Sequence, residues 1–208
     1  RADSNTAAGR GGGVAMPGAT YSSSNTCAFA PPAPNELIAA RSGNGPRGQT
    51  LALSADRQSI YLGGKFRTIG GVQRRHAARV ARSNAALDPA WLPEPNDRVQ
   101  RLVVAPDGQR VYIAGNFTAV GGCSTTPCHA YLAAVSPVTG LIEAAFDPII
   151  ESDGGAFASV YSLALSPDAQ TLYLGGQFDT VDTARRSSAA AVDAATGTTA
   201  TLFAPALA

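Results

Sequence analysis

Three stretches of the chain alternate apolar and polar residues in the same order. They are LALSADRQSIYLGGKF at 51–66, LVVAPDGQRVYIAGNF at 102–117 and LALSPDAQTLYLGGQF at 163–178. In each, a short apolar strand meets a polar turn and a second strand returns. Leu102 and Val104 alternate ahead of the turn, where Pro106, Asp107 and Gly108 each suit tight reversal: Pro presets φ, Asp bonds back to the backbone, Gly tolerates positive φ. In the returning strand Val111 and Ile113 point one way, Tyr112 and Ala114 the other. Both sets are largely apolar, which predicts a sheet covered on both faces.

The copies keep these roles. Tyr61, Tyr112 and Tyr173 coincide, as do Phe66, Phe117 and Phe178. The small pairs Gly63-Gly64, Ala114-Gly115 and Gly175-Gly176 stand just before each Phe, where small residues mark a bulge or the close approach of neighbouring backbone. A third strand is predicted at 77–81, 130–135 and 188–192, closed by the turns SPVTG at 136–140 and DAATG at 193–197. A fourth is predicted to end in aromatic-x-Pro at Trp91-Leu92-Pro93, Phe146-Asp147-Pro148 and Phe203-Ala204-Pro205. Phe29-Ala30-Pro31 carries the same signature, so residues 13–31 are expected to be the back half of a preceding unit.

A four-stranded unit repeated every ~40–60 residues indicates propeller blades, which bury their faces only by stacking on neighbours. The expected fold is therefore all-β: blades of four antiparallel strands, about three and a half in this chain. Residues 1–50 form a Gly/Ser/Ala/Pro-rich lead-in, and blades follow at 51–98, 99–159 and 160–208. Propellers close with about 4–8 blades, which points to a larger ring completed by a longer parent chain or by separate chains. The opening Arg1, with neither an initiator Met nor a signal-peptide pattern, favours the longer chain.

Composition narrows the function. The net charge is +1 over 208 residues, so nothing asks for nucleic acid or an anionic membrane. No window approaches the ~18 uninterrupted apolar residues of a membrane span. Of three cysteines, Cys123 and Cys128 share the turn-rich stretch GGCSTTPCHA. A small disulfide ring there implies an oxidising compartment; free thiols or two metal ligands are the alternatives. Cys27 is left without an evident partner.

Candidate chemistry is sparse. The two histidines, His76 and His129, fall at one repeat position with Arg186 in the third copy, so repetition explains them better than catalysis. RRHAARVAR at 74–82 is a candidate anion site, with capping of backbone carbonyls as the plainer role. Asp56, Asp107 and Asp168 recur as turn formers and lack the dense oxygen spacing of a calcium loop. Asp147, Glu151 and Asp153 cluster in an insertion, a weak cation or partner site. Asn116-Phe117-Thr118 is an N-glycosylation sequon, and Asn25-Thr26-Cys27 the weaker N-x-C form. Trp91 is a candidate platform for stacking a glycan, with packing between blades as its other role. No nucleophile elbow, zinc-protease, Walker or dinucleotide motif is present.

The pattern SPDxxxLYLGGxFxxVGG, an Arg-containing loop, then AAVDxxTG resembles the delta-sixty type repeat propellers. The resemblance covers residues 51–208 well and 13–50 poorly. It implies a secreted or surface β-propeller and supplies no catalytic residue. The expectation is a non-enzymatic extracellular module without cofactor or metal. It would be a scaffold or adhesion element of a larger surface or filament protein, with protein partners, further blades of its parent chain, or glycans. The alternatives are a carbohydrate-binding propeller module and a fragment of a propeller hydrolase or lyase.

Overall fold

The computed structural model describes residues 19–21, 27–29, 47–123, 128–153, 157–203 and 205. The chain divides into two compact units, 1–34 and 35–208. Of the first, the described part is one antiparallel hairpin, β1 (Ala19–Tyr21) with β2 (Cys27–Phe29), Tyr21 opposite Cys27. The rest of the half blade expected at 13–31 lies outside the described residues, as does Asn25.

The second unit is all-β. Three antiparallel sheets recur along it, each of three strands with the second strand in the middle. The first is β3 (Arg47–Leu53), β4 (Ser59–Lys65) and β7 (Ala77–Ala81). The short hairpin β5 (Thr68–Ile69) and β6 (Val72–Gln73) lies between β4 and β7. The second sheet is β8 (Val99–Val104), β9 (Val111–Gly115) and β10 (Leu132–Val135). The insertion adds β11 (Ile150–Glu151). The third sheet is β12 (Ser159–Leu165), β13 (Thr171–Gln177) and β16 (Ala189–Asp193). Its hairpin β14 (Thr180–Val181) and β15 (Ala184–Arg185) takes β11 as a third member. Among the described residues no helix is long and apolar enough to cross a membrane.

The sheets repeat down to single atoms. Each first strand carries a bulge at the same place, between Gly48 and Thr50, Val99 and Arg101, and Val160 and Ser162. The bulge drives a carbonyl toward the second small residue of the facing pair. A Cβ on Gly64, Gly115 or Gly176 would lie 2.0 or 2.1 Å from the oxygen of Arg47, Arg98 or Ser159, respectively. No side chain fits there, so all three copies keep glycine.

The turns obey the same chemistry. Asp56, Asp107 and Asp168 each accept the amide two residues on, at 2.9, 2.9 and 3.1 Å. These carboxylates are turn builders.

Two expectations change. The fourth strand is reduced to one bridging pair per sheet: Val80 with Leu87, Val135 with Ile142, Val192 with Thr199. The backbone just beyond leaves its own sheet for the next repeat. Leu92 N donates to Thr139 O at 3.0 Å and Asp147 N to Thr196 O at 3.2 Å. The first strand also begins earlier than residue 51, because Arg47–Thr50 pair with the end of β4.

The core lies between successive sheets. One cluster joins Tyr61 and Trp91 of the first repeat to Leu102, Val111, Ile113 and Phe117 of the second. Another joins Tyr112, Leu132 and Phe146 of the second to Val160, Leu163, Leu172 and Leu174 of the third. Stacking the repeats is thus what buries them.

Candidate functional site

The joint between repeats is built the same way twice. Tyr61 and Trp91 meet edge to face at 5.0 Å, as do Tyr112 and Phe146 at 5.3 Å. Such a pair contributes about 0.5–1.5 kcal/mol beyond the area it buries. Tyr61 Oη donates to Pro137 O at 2.9 Å, and Tyr112 Oη to Ala194 O at 2.7 Å. Both acceptors lie in the closing turn of the following repeat. Burial raises the pKa of both phenols, which keeps them protonated and able to donate. Gly140 and Gly197 sit in these turns at φ +78° and +82°, where a Cβ would strike Pro93 or Pro148 of the preceding repeat at 2.7 or 2.6 Å.

Trp91 belongs to this joint. Its side chain is 0% exposed, and Nε1 donates to Ser136 O at 3.0 Å. No face is left for a sugar, so the candidate stacking role is replaced by packing between repeats.

The third copy has the same parts, and among the described residues no turn covers them. Tyr173 and Phe203 meet edge to face at 5.3 Å but are 38% and 37% exposed, against 2% for Tyr61 and Tyr112. Leu202 beside them is fully exposed.

The arginines serve carbonyls. Arg74, buried, donates to Gln73 O at 2.7 Å and Asp88 O at 3.1 Å. Arg186 donates to Arg185 O at 2.8 Å and Ala200 O at 3.3 Å. Arg79 reaches across the joint to Pro137 O at 3.0 Å and pairs with Asp88 at 3.4 Å.

The structural equivalent of His76 is Tyr131, with Ser188 in the third copy. All three have positive φ (60°, 66° and 65°), and each amide donates to the carbonyl of the repeat Phe. His129 instead shares the position of Arg74 and Arg186. Its Nδ1 lies 3.1 Å from Phe146 O and 3.3 Å from Asp147. The two histidines therefore do not coincide: the match holds for His129 with Arg186 and fails for His76, by two residues.

Cys123 and Cys128 form a disulfide, with Cα atoms 5.5 Å apart. The acids of the insertion go to separate partners, Asp147 to His129 and Asp153 to Arg185 at 3.0 Å. Asn116 is half-buried; its Oδ1 accepts from Gln100 Nε2 at 2.9 Å and its Nδ2 donates to Ser159 Oγ at 2.7 Å.

A sizeable concavity opens beside Asn116, where β4 and β9 end and β8 begins. It encloses about 770 Å³, inside the ~300–1,000 Å³ range of small-ligand sites. A smaller hollow of about 200 Å³ adjoins it and shares Arg67, His76 and Asn96. Buried Phe66 and His76 line the large cavity, and Lys65, Arg67, Asp97 and Phe157 are exposed at its edge. Asn96 fixes one wall: its Oδ1 accepts from the amides of Thr118 and Ala119, its Nδ2 donates to Thr118 Oγ1, and its own amide donates to Ala119 O.

Sequence reasoning passed over this groove, although a signal was present. The repeat Phe residues are constant, while the positions flanking them vary: Lys65, Asn116 and Gln177 before, Arg67, Thr118 and Asp179 after. Four of these varying residues, Lys65, Asn116, Arg67 and Thr118, line the groove.

Fold and site together define an all-β chain of phased antiparallel sheets with a polar groove between the first two. No protein-family model and no curated protein matches it. Among solved structures the chain is similar to the dihydro-heme d1 dehydrogenase NirN in complex with DHE, at 13% identity and a TM-score of 0.39. The similarity covers 73% of this chain and 28% of that one. A likeness at that level assigns neither fold nor activity.

Proposed function

We propose that the chain is a stretch of a β-propeller of the delta-sixty repeat type, each three-stranded sheet being one blade. It serves as a non-enzymatic extracellular scaffold or interaction element of a larger surface or filament protein. The observation that carries this reading is the open joint of the third repeat. Tyr173 and Phe203 are paired as their buried counterparts are, yet exposed, and the shape they present is the one that a closing turn fills in the first two joints. A further repeat is the occupant that fits. The Cys123–Cys128 bridge supports an oxidising compartment.

The test is the native mass of the protein isolated from its source. More than three repeats per particle are expected, from a polypeptide above 21.1 kDa or from chains joined head to tail. A 21.1 kDa monomer with Tyr173 open to solvent would contradict the reading.

A further inference from the structure

We propose that the groove between the first and second sheets binds an acidic sugar, a hexuronate unit of a polysaccharide. This assignment is independent of how many repeats complete the array.

The lining chemistry points to that class. Lys65 and Arg67 stand either side of buried Phe66, with Arg75 in the adjoining hollow, and among the described residues Asp97 is the only carboxylate lining the two cavities. Among the described residues, neither Lys65 nor Arg67 forms an ion pair; the pairs present are Arg79–Asp88, His129–Asp147 and Arg185–Asp153. Three cations against one carboxylate favour a ligand carrying negative charge. They stand in a chain whose net charge is only +1, so the excess is local.

The groove also offers acceptors, which a bare anion does not use. His76 is 5% exposed, and its Nδ1 lies 3.3 Å from Gly64 O. A carbonyl oxygen only accepts, so Nδ1 carries the proton and the Nε2 of the neutral ring is a lone-pair acceptor. Asp97 accepts as well, while the Thr68 and Thr118 hydroxyls both donate and accept. A ligand that suits this set has several hydroxyls and one carboxylate.

Phe157 supplies the apolar component. Among the described residues its ring is 79% exposed on the groove wall. The C–H face of a pyranose is the natural cover for such a ring. An inorganic phosphate or sulfate would leave Phe157 bare and most of the volume empty. The Asn96 clamp holds the wall in place before any ligand arrives, which lowers the ordering penalty of binding.

The test is isothermal titration of the 208-residue chain with oligogalacturonate, oligoglucuronate and alginate oligomers. Galactotriose and sodium phosphate serve as controls. At least one acidic oligomer is expected to bind, more weakly as salt rises, with galactotriose and phosphate each at least about ten-fold weaker. Arg67→Ala and Phe157→Ala are each expected to weaken binding about ten-fold or more, at unchanged thermal midpoint. Arg67→Gln, which removes the charge but keeps a hydrogen-bonding side chain, should behave as Arg67→Ala does. The assignment is overturned if no acidic oligomer binds, if galactotriose binds as well as its acidic counterpart, or if phosphate binds as well as the oligomer. Undiminished binding in folded Arg67 and Phe157 variants would also overturn it.

Discussion

Tyr61 and Tyr112 differ from Tyr173 in what their hydroxyls reach: a carbonyl of the next repeat in the first two cases, Pro137 O and Ala194 O. Tyr61→Phe and Tyr112→Phe are expected to destabilise by about 1 kcal/mol each, the usual net worth of a buried hydrogen bond. Tyr173→Phe should be nearly silent. Urea unfolding of the three variants checks this ranking, and three equal effects would contradict it. At Gly115 the constraint is steric. A methyl group there meets Arg98 O at 2.1 Å, so Gly115→Ala should lower stability by about 1–3 kcal/mol through strain; a loss under ~0.5 kcal/mol in the same assay would be inconsistent with that contact. Acid should weaken the fold in two stages. Burial lowers the pKa of His76, so the unfolded chain binds its proton first. Stability is therefore unaffected above the ordinary His value of about 6.5 and falls as the pH drops below it. Asp56, Asp168, Asp179 and Asp193 are lowered by hydrogen bonds, from Ser54, Ser166, the Asp153 amide and the Thr196 amide first. Their contribution is present above the ordinary value near 3.8 and is lost as the pH falls through their lowered values. Unfolding midpoints measured from pH 7.5 down to 3 should fall less steeply below pH 6.5 in His76→Gln than in the unaltered chain, and parallel curves would show that His76 is not buried neutral.

At the scale of the strand and turn, much was legible because the constraint is local. The bulge, the small pair and the Asp turn each leave a residue-type mark within a few positions, and three copies amplify it. The fourth strand misled because its aromatic-x-Pro ending does recur while its hydrogen bonds go elsewhere: Leu92 and Asp147 donate to the next repeat's turn, a partner about 50 residues away. His76 was misplaced because the Ala-rich third strands match almost as well two residues out of register, whereas the backbone pairs it with Tyr131 and Ser188, whose amides likewise donate to the repeat Phe carbonyl. Cys123 and Cys128 lie outside the three-stranded sheets. Their bridge spans 5 residues, so in the loop-entropy account it contributes at most roughly 2 kcal/mol. Reduced and oxidised protein should both fold cooperatively, with unfolding free energies differing by no more than that. Unfolding on reduction alone would show that the loop holds the sheet together.

Over the whole molecule, stacking was foreseeable and the groove was not. Sheets apolar on both faces must be covered by neighbours, and the chain's own copies are the nearest cover. The groove depends on residues far apart in sequence, Lys65, Asn96, Asn116 and Phe157, brought together by that stacking. Each is unremarkable alone, and only their variation around a constant Phe sets two of them apart. The stacking account is tested most directly by extending the chain after Ala208 with a copy of residues 97–153, in phase with the repeat, and measuring urea unfolding with and without Tyr173→Phe. The added turn is predicted to receive the Tyr173 hydroxyl, so that the midpoint rises and the once silent substitution now costs about 1 kcal/mol. An unmoved midpoint with Tyr173→Phe still silent would contradict it.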